Sequence, residues 1–172
     1  MSNYHEQEFS AMQLSKNFTL KEFEVSETAR VNDIDNRVPK RYMKNVKALV
    51  DNVLQPTRDK VGIPIYISSG YRCKEVNRIN HGATTSQHMR GEAADIFIDP
   101  VCSLGWTLWD VLKLIVQFTD FDQIIWETRP PTKARPNGSK WIHVSYVTYR
   151  KNRHSMLRCA DGKTYKELED PL

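Results

Sequence analysis

"SQHMRGEAADIFI", Ser86 to Ile98, sets a histidine and an aspartate seven positions apart around a glycine and two alanines, and ends in an apolar run. The part from about Glu92 reads as a strand, since "EAADIFI" is short, apolar and preceded by the polar loop residues "GATTS". An aspartate inside such a strand is expensive to bury unless it is hydrogen-bonded, paired or bound to a metal. Asp95 therefore marks a point where the sheet meets chemistry, although read singly it serves equally as a cap or turn residue.

Upstream, Ile63, Ile65 and Ile67 alternate as in a half-buried strand, and Ser68, Ser69 and Gly70 break it. Arg72 then falls just beyond a strand end, where loops display functional groups. "CKEVNRIN" suits a short helix. Further back, Tyr42, Val46, Leu49, Val50 and Val53 form one stripe of an amphipathic helix, with Pro39 in its first turn and Pro56 expected to kink or end it. Downstream, Ser103 or Thr107 caps a helix running to about Phe118, its stripe formed by Leu104, Leu108, Val111, Leu112, Ile115 and Phe118.

"FDQIIWE" and "WIHVSYV" are apolar, aromatic and β-branched, and read as an antiparallel pair joined by "TRPPTKARPNGSK". Asp161 and Gly162 predict a terminal hairpin. The pattern gives an α+β fold, a single domain with a mainly antiparallel sheet packed with two long helices, over residues 17–172 behind an N-terminal extension, 1–16.

Composition agrees. With 172 residues, 40% hydrophobic and 27% charged, the chain suits one domain that buries most of its unfolded surface. A net charge of +4 without a recognisable reading motif argues against nucleic acid as a partner. No run approaches the roughly 18 apolar residues of a membrane span. The start, "MSNYHEQEF", lacks the basic end and apolar centre of a secretory signal, so synthesis in the cytoplasm is the expectation. Cys73, Cys102 and Cys159 form no C-x-x-C pair and are expected as reduced, buried small hydrophobes.

A catalytic zinc site takes three protein ligands and leaves one position to water. His88 and Asp95 supply two, and His143, a polar residue in the strand "WIHVSY", is the best third. Ile142 and Val144 would face the core while His143 faces the other side. Read singly, His88 is more often a loop histidine and His143 a hydrogen-bonded one. His81, also seven residues from His88, lies in the polar loop "NRINHGATT" and reads as a loop residue.

The block resembles the S-x-H-x-x-G-x-A-x-D signature of zinc D-alanyl-D-alanine carboxypeptidases and peptidoglycan-stem endopeptidases, a family that shares its fold with hedgehog signalling domains. Ser86, His88, Gly91, Ala93 and Asp95 fill every specified position, and Ser69, Gly70, Tyr71 and Arg72 look like the family's S-G-Y-R segment. "WIHVSY" is similar to its third-ligand strand, and "NFTLKEFEVSETA" and "DNRVP" look like a phage-associated branch. The resemblance implies one zinc ion per chain held by His88, Asp95 and His143, with Arg72, Tyr71 and Ser86 meeting the substrate.

Many relatives place the general base three residues before the last histidine; here that residue is Lys140, unable to act while protonated. Glu127, ending a strand that should pair with the one carrying His143, is the candidate base, and Asp122 the reserve. Arg72 offers a guanidinium fork for a carboxylate or a developing oxyanion, which gives it a catalytic as well as a binding role. Gly91 is expected to let the backbone turn closely beneath the metal.

The implied activity is hydrolysis of an amide bond in the peptide stem of bacterial peptidoglycan. The enzyme would be a D-Ala-D-Ala carboxypeptidase or an L-Ala-D-Glu-type endopeptidase, endolysin-like, acting as a monomer on the cell wall once released. The alternative is an inactive zinc-binding structural or interaction module of a phage particle, which Lys140 in the usual base position favours. Arg129 to Arg153 carries seven lysines and arginines and no acid, which suits either a solvated loop or a flap that attracts anionic wall polymers.

Overall fold

A computed structural model describes residues 12–133, 135–169 and 171–172. Residues 1–11 of the proposed N-terminal extension lie outside the described residues. Within the rest of it Leu14 is buried, and the amide of Leu20 bonds to the carbonyl of Met12, so the packed unit reaches back before Asn17.

Helices α1 (Leu20–Glu24) and α2 (Glu27–Val31) are short and capped by Thr19 and Ser26. A 3-10 turn at Lys40–Tyr42 leads into α3 (Met43–Leu49), a π-helical stretch (Val50–Leu54) and α4 (Gln55–Val61). Of the two outcomes expected at Pro56, a kink or an end, the end does not occur. Proline has no N–H and its ring collides with the carbonyl four residues back. The chain widens to a π turn just before it, with the amide of Gln55 bonded to the carbonyl of Val50, and helical backbone continues to a left-handed Gly62.

Strand β1 (Tyr66–Ser69), helix α5 (Lys74–Ile79), a 3-10 turn (Gln87–Arg90) and β2 (Ala93–Phe97) follow. Ile63 and Ile65 are buried as their alternation requires, but they precede the ladder. Helix α6 (Leu108–Phe118) begins at a capping box between Thr107 and Asp110. Leu104 therefore falls outside the apolar stripe and is 86% exposed. The sheet is completed by β3 (Gln123–Arg129), β4 (Ser139–Ser145), β5 (Ser155–Cys159) and β6 (Tyr165–Glu167).

The strand order is β1-β2-β4-β3-β5-β6, antiparallel throughout except for the parallel β3–β5 pair. The β3–β4 ladder runs on to Arg129 opposite Ser139, so the connection spans 130–138 and is shorter than the polar stretch suggested. The expected terminal hairpin forms between β5 and β6.

One face of the sheet is apolar. Ala94, Ile96, Ile124, Ile142 and Val144 are fully buried there, in one core with Val46, Leu49 and Val53 of the first long helix and Val111, Leu112 and Ile115 of the second. Each such aliphatic side chain contributes about 1.5–3 kcal/mol by leaving water. Trp109 of α6 meets Trp126 of β3 edge to face, ring centroids 5.0 Å apart. Strand alternation then puts Asp95, His143, Ile125 and Glu127 on the other face. Of the cysteines only Cys159 is buried; Cys73 is half-buried and Cys102 exposed, and all three are free thiols.

Candidate metal centre

Asp95, His143 and Ile125 stand in one cross-strand row over β2, β4 and β3. His88 reaches the row from the 3-10 turn that precedes β2 and is 3% exposed. Gly91 ends that turn with φ +66. A Cβ on Gly91 would stand 2.7 Å from Cγ2 of Val46, so glycine is needed for the turn to dock against the first long helix.

The "SSGYR" segment braces this turn from the other side. Nδ1 of His88 donates to the carbonyl of Gly70 at 2.7 Å, which leaves Nε2 with its lone pair facing Asp95 and His143. The amide of Arg72 bonds to the carbonyl of His88, and that of Tyr71 to the carbonyl of Phe23. A Cβ on Gly70 would stand 2.5 Å from Cα of Phe23, so only glycine brings its carbonyl to His88.

Nε2 of His88 and Nδ1 of His143 are 3.1 Å apart, Nδ1 of His143 and Oδ1 of Asp95 3.0 Å, and Nε2 of His88 and Oδ1 of Asp95 3.2 Å. A tetrahedral site with bonds of ~2.0–2.1 Å has edges of roughly 3.3 Å. Three buried donors in a triangle of nearly that size, with the borderline N and O atoms that zinc accepts, fit such an ion. The three residues singled out from the sequence as ligands do converge.

The electrostatics suit ligation. Burial lowers the His88 pKa, which favours the neutral imidazole that a metal needs. Burial works to raise the Asp95 carboxyl, but the hydrogen bond from His143 and the Arg72 guanidinium oppose it, and Asp95 is held well below the usual carboxylate range. Arg72 bonds Oδ2 of Asp95 through Nη2 at 2.5 Å and Oγ of Ser69 through Nε at 2.8 Å. Its Nη1 makes no hydrogen bond to the described residues.

The row forms the floor of a cleft of about 750 Å³ that Glu127, Arg72, Ser86 and Trp141 also line. Glu127 is 8% exposed, and its Oε2 accepts from Nη2 of Arg129 at 3.0 Å. Burial, with Asp95 adding to it, raises the Glu127 carboxyl against the pull of Arg129. Lys140 is exposed and absent from this lining.

Other expected residues stand elsewhere. Tyr71 is buried in the core, tilted against Tyr42 with centroids 6.2 Å apart, and does not line the cleft. The substrate contact suggested for Tyr71 gives way to a packing role. Asp122 is fully buried and is held by Arg150 and Arg153, which leaves it no part as a reserve base. His81 lines the cleft mouth, exposed and with φ +54, outside the ligand triangle. His154 pairs with Asp120, and His5 lies outside the described residues.

The cleft also holds Trp141, which the sequence reading passed over, and Arg129, Arg150 and Arg153, which it took only as part of a basic stretch. Arg129 and Trp141 alternate in phase with Glu127 and His143, a signal present in the strand pattern; Arg129 sits 4.8 Å over the Trp141 ring. Arg150 and Arg153 follow β4, and their basic run gave charge but not their place beside the cleft.

A search of the curated proteins finds no match to this chain. A family model described as Peptidase M15 matches residues 16–145, from just before α1 through the end of β4. The match takes in well over half of the chain and all three converging side chains, and the chain belongs to the Peptidase M15 family.

Proposed function

We propose that the chain is a zinc-dependent metallopeptidase that hydrolyses an amide bond in the peptide stem of bacterial peptidoglycan. Membership of a peptidase family supports the reaction class. The observation that carries the reading is the buried triangle of His88, Asp95 and His143 on the floor of a cleft that also holds the buried carboxyl of Glu127, its pKa raised by burial.

Zinc held by those three residues would supply a water acidified toward a pKa of ~7 and a Lewis acid for the scissile carbonyl. Glu127 takes a proton from the attacking water and passes it to the leaving amine, a role worth about 10²–10⁴-fold. Its raised pKa suits both halves of that transfer. Arg72 fixes Asp95 through one nitrogen and keeps Nη1 for a substrate oxygen. Ser86, at the start of the His88 turn, offers a hydroxyl to the substrate backbone. The enzyme works as a monomer, on the wall after release from the cell that makes it.

The test is to measure zinc in purified wild type and Glu127→Ala, then to assay both on purified muropeptides with products identified by mass spectrometry. Zinc retained in both, with cleavage lost only in the variant, is the expected result. A wild type that holds zinc yet cuts no wall peptide would overturn the enzymatic reading in favour of an inert zinc-binding module.

A further inference from the structure

Five arginines line the cleft. Three of them have a carboxylate each: Arg72 has Asp95 at 2.5 Å, Arg90 has Glu92 at 2.9 Å and Arg129 has Glu127 at 3.0 Å. Arg150 and Arg153 share one, Asp122, each at 2.6 Å. This corner of the cleft therefore carries one positive charge more than its protein partners neutralise.

Asp122 has no capacity left. Its oxygens accept from Nη1 and Nη2 of Arg150, from the backbone amide, Nε and Nη2 of Arg153, and from Nε2 of Gln87. A carboxylate offers about four lone-pair sites, so more donors converge than it can serve well. Nη1 of Arg153 makes no hydrogen bond to the described residues, Arg150 has only Tyr149 and the Lys151 carbonyl beside it besides Asp122, and the two side chains are 34% and 48% exposed. Asp122 itself is fully buried, so it acts as a fixed post that holds two guanidinium groups in the cleft lining.

The corner has a definite place along the cleft. Asp122 directly precedes β3, three residues before Ile125, the partner of His143. Three residues of strand span ~10 Å. Glu127 and Arg129 lie on the other side of Ile125, so the ligand triangle stands between two ends of one groove.

We propose that Arg150 and Arg153 form an anion subsite that binds a substrate carboxylate more than one residue removed from the bond that is cut. An extended peptide advances ~3.3–3.6 Å per residue, so a carboxylate next to the scissile bond falls short of this corner. In the stem the D-Glu carboxylate lies that far from the bonds on the C-terminal side of L-Lys, whereas it is adjacent to the L-Ala–D-Glu bond, so the subsite favours a cut beyond L-Lys. This inference rests on the peptidase reading for its substrate, while the subsite itself is testable by binding alone.

The probe is the synthetic pentapeptide L-Ala-γ-D-Glu-L-Lys-D-Ala-D-Ala, together with two forms in which either the D-Glu carboxylate or the C-terminal carboxylate is amidated. Binding to the zinc-loaded full chain is measured by calorimetry. Amidating the D-Glu carboxylate is expected to weaken binding roughly tenfold, the scale of a charge-assisted hydrogen-bond pair. Amidating the terminal one is expected to change it little. Arg150→Gln leaves Asp122 paired with Arg153, so the fold should survive, as a melting curve will show. This variant should bind acid and amide forms alike, and Arg150→Lys should recover part of the difference.

Equal binding of all three peptides by the wild type, no binding of any, or full discrimination retained in Arg150→Gln would each overturn the subsite. Arg150-dependent discrimination without cleavage would keep the subsite and sink the peptidase reading. Cleavage of every peptide without discrimination would do the reverse.

Discussion

Gly70 carries much of the site without a side chain. Its carbonyl fixes the His88 ring, and its missing Cβ lets the backbone lie against Phe23. Gly70→Ala is expected to lower stability by about 1–3 kcal/mol through overpacking, read from urea denaturation. The same variant should lose about 10–100-fold in zinc affinity, because the ligand is no longer oriented; a competition titration with a zinc chelator measures this. Glu127→Gln should keep zinc and lower kcat by about 10²–10⁴-fold. At this scale the convergence of His88, Asp95 and His143 was legible because their spacing and residue types match what a metal site requires. The direction of Tyr71 was not, since the β1 register shifts between Ile67 and Ser69 and strand parity cannot be counted across that irregularity.

Elements obey local rules where one interaction dominates. Thr107 caps α6 through a reciprocal pair with Asp110, and Thr107→Ala should cost about 1 kcal/mol. Replacing the exposed Leu104 by Ala should change stability little, and the pair of denaturation curves would show whether the helix starts at Thr107. Pro56 shows where a local rule falls short. A kink or a stop was the reasonable reading, and the stop fails because Val50, Val53 and Leu54 are fully buried on the same helix, and keeping that face packed outweighs one lost hydrogen bond. The π turn is how the backbone accommodates both demands. Likewise the β3–β4 ladder extends past Thr128 because pairing continues wherever partners remain in register. The proposed general base is also set at this scale: Lys140 occupies the position three before His143 and is exposed, while Glu127 on the neighbouring strand lines the cleft.

At the scale of the molecule, sheet order decides what the sequence could not show. The parallel β3–β5 pairing brings the segment after β4 back to the cleft, and with it Arg150 and Arg153; no periodicity announces a contact made through non-neighbouring strands. Asp122 ties this return together. Burial opposes its ionisation, but the hydrogen bonds from Arg150 and Arg153 prevail and hold its pKa well below the ordinary carboxylate value. Such a group stabilises the fold above its unfolded pKa of about 3.9, and the contribution is lost as pH falls toward the folded value. Asp122→Asn should therefore be less stable than wild type at neutral pH and lose less stability on acidification below about pH 4, as urea midpoints at several pH values would show. The account as a whole stands on one ion held by two histidines and an aspartate. Crystals grown with zinc and measured at the zinc absorption edge should show one anomalous peak ~2.0–2.2 Å from Nε2 of His88, Nδ1 of His143 and Oδ1 of Asp95; no peak there, or zinc held only by other side chains, would contradict it.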